Sequence, residues 1–145
     1  MAEPLLVLDT NVVLDLLHFD DAVAQPLRHA LETGRVCCVV TEATQAEWRR
    51  VLAYPEFGLD VAQQAALFAR YQALSVRVNA ADAVAELPRC SDPDDQKFID
   101  LAAASAAQGL VSKDRAVLKL RRRCAPRFRI MTPLEAVRWV DGLSG

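Results

Sequence analysis

A chain of 145 residues is the size of one domain, large enough to withdraw roughly two-thirds of its unfolded surface from water, and a single domain is expected over residues 1–145. With 52% apolar and 25% charged residues, and no repetitive or Gly/Ser-rich tract, the composition excludes a disordered arm or a repeat array. The net charge of −2 conceals an uneven distribution: from Lys113 to Arg129 eight Lys or Arg face one acid, a local +7 set against −9 elsewhere.

The apolar stretches are too short to cross a bilayer, and the first residues lack a basic segment followed by an apolar signal core. A cytoplasmic protein with no membrane contact is therefore expected. Cys37, Cys38, Cys90 and Cys124 show no CxxC spacing, which argues against zinc; Cys37 and Cys38 lie in the apolar run VCCVV and read as small buried hydrophobes.

In chain order, Leu5–Leu8 reads as a short buried strand, ended abruptly by Asp9, Thr10 and Asn11. A helix is predicted over Asp20–Thr33, with Gly34 as its C-cap, followed by a strand over Val36–Val40. Thr41 is a plausible N-cap for a helix to Ala53, stopped before Pro55, and Asp60–Leu74 carries apolar residues at helical spacing. A strand over Ser75–Val78 is next. Asp92–Gln108, opening on Asp-Pro and ending at Gly109, is predicted helical; strands at Leu110–Ser112 and Phe128–Met131 precede a last helix from Thr132-Pro133 to about Asp141. Strands that alternate with helices and are apolar on both faces point to a parallel sheet covered on both sides.

In such sheets ligands bind beyond the carboxyl ends of the strands. Asp9 follows the first strand there, Glu47 lies about a turn and a half into the helix after the second, Asp92, Asp94 and Asp95 open the helix DPDDQKFIDLA, and Asp114 follows the fourth strand. Crowded carboxylates repel one another and persist where cations neutralise them. With oxygen donors and no His or Cys beside them, Mg²⁺ or Mn²⁺ is the expected partner, as one or two ions. A pair of such ions roughly 3.5–4 Å apart can activate water and stabilise the leaving oxygen of a phosphodiester. Each acid also has a plainer reading: Asp9, Asp114 and the Asp92–Asp95 run as helix caps, and Glu47 as a solvated residue; Trp48, beside Glu47, reads as core.

The segments LVLDTNVVLDLL, TEATQAEWRRVL, DPDDQKFIDLA and GLVSKDRAVLKL, in this order from about Leu5 to Leu120, resemble the PIN-domain ribonucleases, in particular the VapC-like toxin components of bacterial toxin–antitoxin pairs. The resemblance implies a three-layer α/β/α sandwich around a central parallel sheet and metal-dependent endonucleolytic cleavage of RNA. It places the family's four acids, catalytic and metal-binding, on Asp9, Glu47, Asp95 and Asp114. Asn11 would fix the Asp9 loop by hydrogen bonds, Ser112 would orient a carboxylate or a water, and Asp92 and Asp94 would cap the helix or support the metal-binding acids. It also implies an antitoxin partner and a homodimer. Lys119, Arg121, Arg122 and Arg123, with Arg127 and Arg129, would contact RNA phosphates; their plainer reading is a solvated helix end.

Other classes fit less well. A haloacid-dehalogenase phosphatase needs a second Asp two residues after the first, where this chain has Asn11; a receiver domain needs its acceptor Asp after the third strand. An RNA- or antitoxin-binding protein with weak catalysis is the remaining alternative, disfavoured by the complete set of acids.

Overall fold

The computed structural model describes residues 3–79 and 87–143. Its centre is a five-stranded parallel sheet formed by β1 (Leu5–Leu8), β2 (Cys37–Val40), β3 (Ser75–Arg77), β4 (Gly109–Val111) and β5 (Arg129–Met131), in the order β3-β2-β1-β4-β5. Alternation along β1, β2, β4 and β5 supplies both faces, while the edge strand β3 is largely exposed. Leu6, Leu8, Cys38, Val40, Val111 and Met131 enter one core; Val7, Val39, Leu110 and Ile130 enter the other. The first core is covered by α1 (Thr10–Leu17), α2 (Gln25–Glu32), α3 (Glu42–Leu52), α4 (Val61–Leu74) and α8 (Pro133–Gly142). The second is covered by α5 (Gln96–Ala104), α6 (Arg115–Leu118) and α7 (Arg121–Cys124). The result is the three-layer α/β/α sandwich around a parallel sheet that the apolar strands require.

Helix starts follow local chemistry. The side chains of Thr41, Asp60 and Thr132 each accept a hydrogen bond from the backbone N–H three residues on, and the side chain at that third position accepts one from the cap's own N–H. Trp48 is fully buried in α3, its ring edge-on to Tyr71 of α4 at 5.9 Å.

Three expectations are corrected. Residues 10–17, read only as a resumed apolar run, form α1; Val12, Val13, Leu16 and Leu17 have the spacing of one helical face and are buried. The helix predicted from Asp20 begins at Gln25, because Asp20 takes a left-handed φ of 50° and the Asp21 carboxylate accepts from the Val23 N–H, which turns the chain first. The helix predicted over 92–108 divides into a 3₁₀ turn, Pro93–Asp95, and α5, which closes early with Ala106 at φ 54° and the Ala107 N–H bonded to the Ala102 carbonyl. Gly109 is thus no cap. It opens β4, where a Cβ would stand 2.5 Å from Met131 Cε and 3.2 Å from Leu6 Cδ2.

This strand order places β1 beside β4, with the chain leading outward from them in opposite directions, so a crevice opens where their carboxyl ends meet. Asp9 and Ser112 are the first residues beyond those two ends.

Candidate metal centre

Asp9 holds the N-cap position of α1, yet its side chain makes no capping bond. Its Oδ2 accepts instead from Ser112 Oγ at 2.7 Å, and its backbone N–H donates to the Val111 carbonyl. Ser112 is fully buried, and its Oγ also accepts from the Asp114 N–H at 3.0 Å. One hydroxyl therefore links the acid of β1 to the acid beyond β4. Asp9 is 4% exposed, and burial raises its pKa above the ordinary carboxylate range; the bonds from Ser112 and the Thr10 N–H oppose this, and the charges of Glu47 and Asp114 add to it.

Asp114 caps α6 through Oδ1, which accepts from the Ala116 N–H, and Asp92 caps the 3₁₀ turn by accepting from the Asp94 N–H. Capping occupies one oxygen of each and leaves the other for the crevice. Asp95 makes no side-chain capping bond, is 8% exposed, and its Oδ2 has no hydrogen-bond partner. One carboxylate oxygen each from Asp92, Asp95 and Asp114 lies within 4.8 Å of the others. Burial first, then the facing Asp114 carboxyl and the charges of Asp9, Asp114 and Asp92, push the Asp95 pKa up to about 8. Among the three acids of the DPDD run, Asp94 is the exposed one.

Glu47 projects from α3 toward Thr10 and α5. Its Oε2 accepts from the Thr10 hydroxyl, and its Oε1 is 2.7 Å from Lys97 Nζ. Thr10 and Lys97 were not singled out by sequence reasoning, although one adjoins Asp9 and the other lies two residues beyond Asp95. Asp15 was missed as well: it is 5% exposed on an otherwise apolar helix and sits 2.7 Å from Lys113 Nζ, beside Asp114. Its place in the run VVLDLL was the available signal, since a lone acid on a buried face needs a partner. The hydrogen bonds expected of Asn11 are not made by its Oδ1, which is buried without a partner; the Asp9 carbonyl, accepting from the Val12 and Val13 N–H groups, secures that turn.

A cluster of this kind is incomplete by itself. It offers hard oxygen donors, one of them buried and unpartnered, at a spacing suited to a small divalent ion, and this donor set fits Mg²⁺ or Mn²⁺. The cysteines are free; Cys38, Cys90 and Cys124 are buried, whereas Cys37, expected to be buried with Cys38, is only half-buried at the start of β2.

The basic run divides. Arg121 is bound through both terminal nitrogens to Glu135, at 3.0 and 3.1 Å, and Glu135 is held below its usual pKa by the Thr132 N–H and this guanidinium. Arg121, Arg122, Arg129 and Arg138 line a cavity of about 630 Å³ with Trp139, whereas Arg123 and Arg127 line another beside Pro88. Lys119, Arg122 and Arg123 are exposed.

A family model described as PIN domain matches residues 5–116. Among solved structures, the chain is similar to one described as VapBC2 from Rickettsia felis bound to a DNA fragment from their promoter. The two are 13% identical with a TM-score of 0.62, over 88% of this chain and 98% of that one. No curated protein matches the chain.

Proposed function

Since the chain belongs to the PIN-domain family, we propose that it is a metal-dependent endoribonuclease, the toxin of a bacterial toxin–antitoxin pair. The observation that carries this reading is Asp95: a buried carboxyl with an unpartnered oxygen, facing Asp92 and Asp114 in the crevice beside Asp9. A carboxyl so placed is poorly solvated and repelled by its neighbours unless a cation joins them.

Asp92, Asp95 and Asp114 would hold the metal, with Asp9, tied to Asp114 through Ser112, as a further ligand or support and Glu47 acting through the residues it binds. When bound, a divalent ion supplies an ionised water as nucleophile and charge stabilisation at the scissile phosphate. The chain's own residues do the remainder. Ser112 donates to the Asp9 carboxylate and accepts from the Asp114 N–H, which ties the Asp9 side chain to the Asp114 turn. The helix caps on Asp92 and Asp114 hold their carboxylates in one rotamer each. Exposed Lys119, Arg122 and Arg123 would draw RNA phosphates toward an acidic mouth with salt-dependent affinity.

The same reading takes residues 1–145 as one such domain, acting in the cytoplasm as a homodimer with a small antitoxin as its partner. The fold shared with the VapBC2 complex supports the antitoxin, and among the described residues no helix is long and apolar enough to cross a membrane.

The test is incubation of purified protein with structured RNAs and Mn²⁺ or Mg²⁺, alongside EDTA and an Asp9→Asn variant. Cleavage giving 5′-phosphate and 3′-hydroxyl ends is expected with metal. It should vanish with EDTA and fall at least about 100-fold in Asp9→Asn, which should remain folded because Asn still accepts from Ser112. RNA bound without cleavage by the metal-loaded protein would favour the weakly catalytic binding protein, and cleavage surviving both controls would remove the nuclease assignment.

A further inference from the structure

We propose that Lys97 is a built-in cation that takes the place of a second metal ion at the Glu47 end of the acid cluster, so that the site holds one divalent ion, against Asp92, Asp95 and Asp114. The inference rests on the metal-dependent reading and deepens it by assigning the number of ions and the role of a lysine.

Lys97 is the second residue of α5, where a positive charge opposes the helix dipole, so helix stability does not explain its presence there. Its ammonium is nevertheless committed to the site. Nζ lies 2.7 Å from Glu47 Oε1, 2.6 Å from the Asp94 carbonyl oxygen and 5.6 Å from the centre of the Phe98 ring, and the side chain is 25% exposed. The other oxygen of Glu47 accepts from Thr10. Both oxygens of this carboxylate therefore already have partners, unlike Asp95, whose Oδ2 has none.

The acids fall into two groups joined at Asp9, which Ser112 ties to Asp114 and whose neighbour Thr10 donates to Glu47. At one end, three oxygens converge without a cation. At the other, an ammonium is already in contact. A divalent ion placed against Glu47 would meet the Lys97 charge at close range and would have to displace it. Ammonium and metal are thus alternatives at that end. One of the three Lys97 protons is left, after Glu47 and the Asp94 carbonyl, to meet an anionic oxygen of a bound phosphodiester.

The experiment counts ions and does not depend on turnover. Mn²⁺ is titrated into the full chain by calorimetry, with electron paramagnetic resonance on the loaded protein, for wild type, Lys97→Met, Lys97→Gln and Lys97→Arg. Thermal unfolding checks that each variant is folded; two neutral variants are used so that a fold defect in one leaves the other. One Mn²⁺ per chain with an isolated-ion spectrum is expected for wild type and Lys97→Arg. Two ions and a spin-coupled spectrum are expected for Lys97→Met and Lys97→Gln. Two ions in wild type, or one in both neutral variants, would overturn the role of Lys97 while leaving the metal site intact. No Mn²⁺ bound by wild type would overturn the metal-dependent reading, and this inference with it.

Discussion

Replacing Asp95 with Asn is expected to lower RNA cleavage at least about 100-fold while making the metal-free protein more stable at pH 8. Loss of activity follows from removing the carboxylate that lies deepest among the converging three. The gain in stability follows from linkage. Asp95 titrates near 8 when folded, against an ordinary value of 3.8. Between roughly pH 4 and 8 the folded state therefore binds a proton that the unfolded chain has released, and stability falls as pH rises through that window. Asn carries no such proton. The stability curves of wild type and Asp95→Asn should coincide near pH 4 and separate by on the order of 2 kcal/mol at pH 8, allowing for solvent screening in an open crevice. Urea unfolding across pH in the presence of EDTA measures both. Equal slopes in the two proteins would mean that Asp95 is an ordinary carboxylate.

Trp48→Ala should cost about 3–5 kcal/mol, a large part of the roughly 5–15 kcal/mol that holds a domain of this size together. Trp48 adjoins Glu47, and an aromatic beside a candidate site acid invites a reading as a base-stacking platform. Its burial argues otherwise: it is 1% exposed, packed edge-on against Tyr71, and its Nε1 has no hydrogen-bond partner. Trp48→Phe should then cost only about 1–2 kcal/mol, because the smaller ring leaves a modest cavity but also removes that unsatisfied donor. Midpoints of urea unfolding for the two variants make the comparison. A fully stable Trp48→Ala with weakened RNA binding would return Trp48 to the site surface.

The three-layer architecture was legible because strands apolar on both faces have no other use than a doubly covered sheet, and because Thr41, Asp60 and Thr132 announce their helices by side-chain chemistry. Asp9 was legible as an acid where an apolar run should continue. Helix α1 was not, since its eight residues are so apolar that a helix and a buried strand have nearly the same composition there. Nor could spacing decide among Asp92, Asp94 and Asp95. Their different exposures depend on the tight 3₁₀ turn that Pro93 opens, which swings Asp94 out and Asp95 in. Lys97, Thr10 and Asp15 were passed over for another reason: each acquires meaning only from a residue distant in sequence, Glu47 for the first two and Lys113 for the third. The basic run shows the converse. Basic residues close together in sequence are dispersed in the fold: Arg121, Arg122 and Arg129 line one cavity, Arg123 and Arg127 another, Arg121 also pairs with Glu135, and Lys113 pairs with Asp15.

The claim on which the rest depends is that the carboxylates at the junction of β1 and β4 form a cation site. Thermal unfolding at pH 8, with and without Mn²⁺, tests it most directly in wild type and Asp95→Asn. Saturation at about 100 times the dissociation constant adds about 2.7 kcal/mol, equivalent to roughly 5–10 °C for a chain of this length. Wild type should gain that much, and Asp95→Asn, already stabler without metal, should gain little. A wild-type midpoint unmoved by Mn²⁺, or an equal rise in both proteins, would contradict the account.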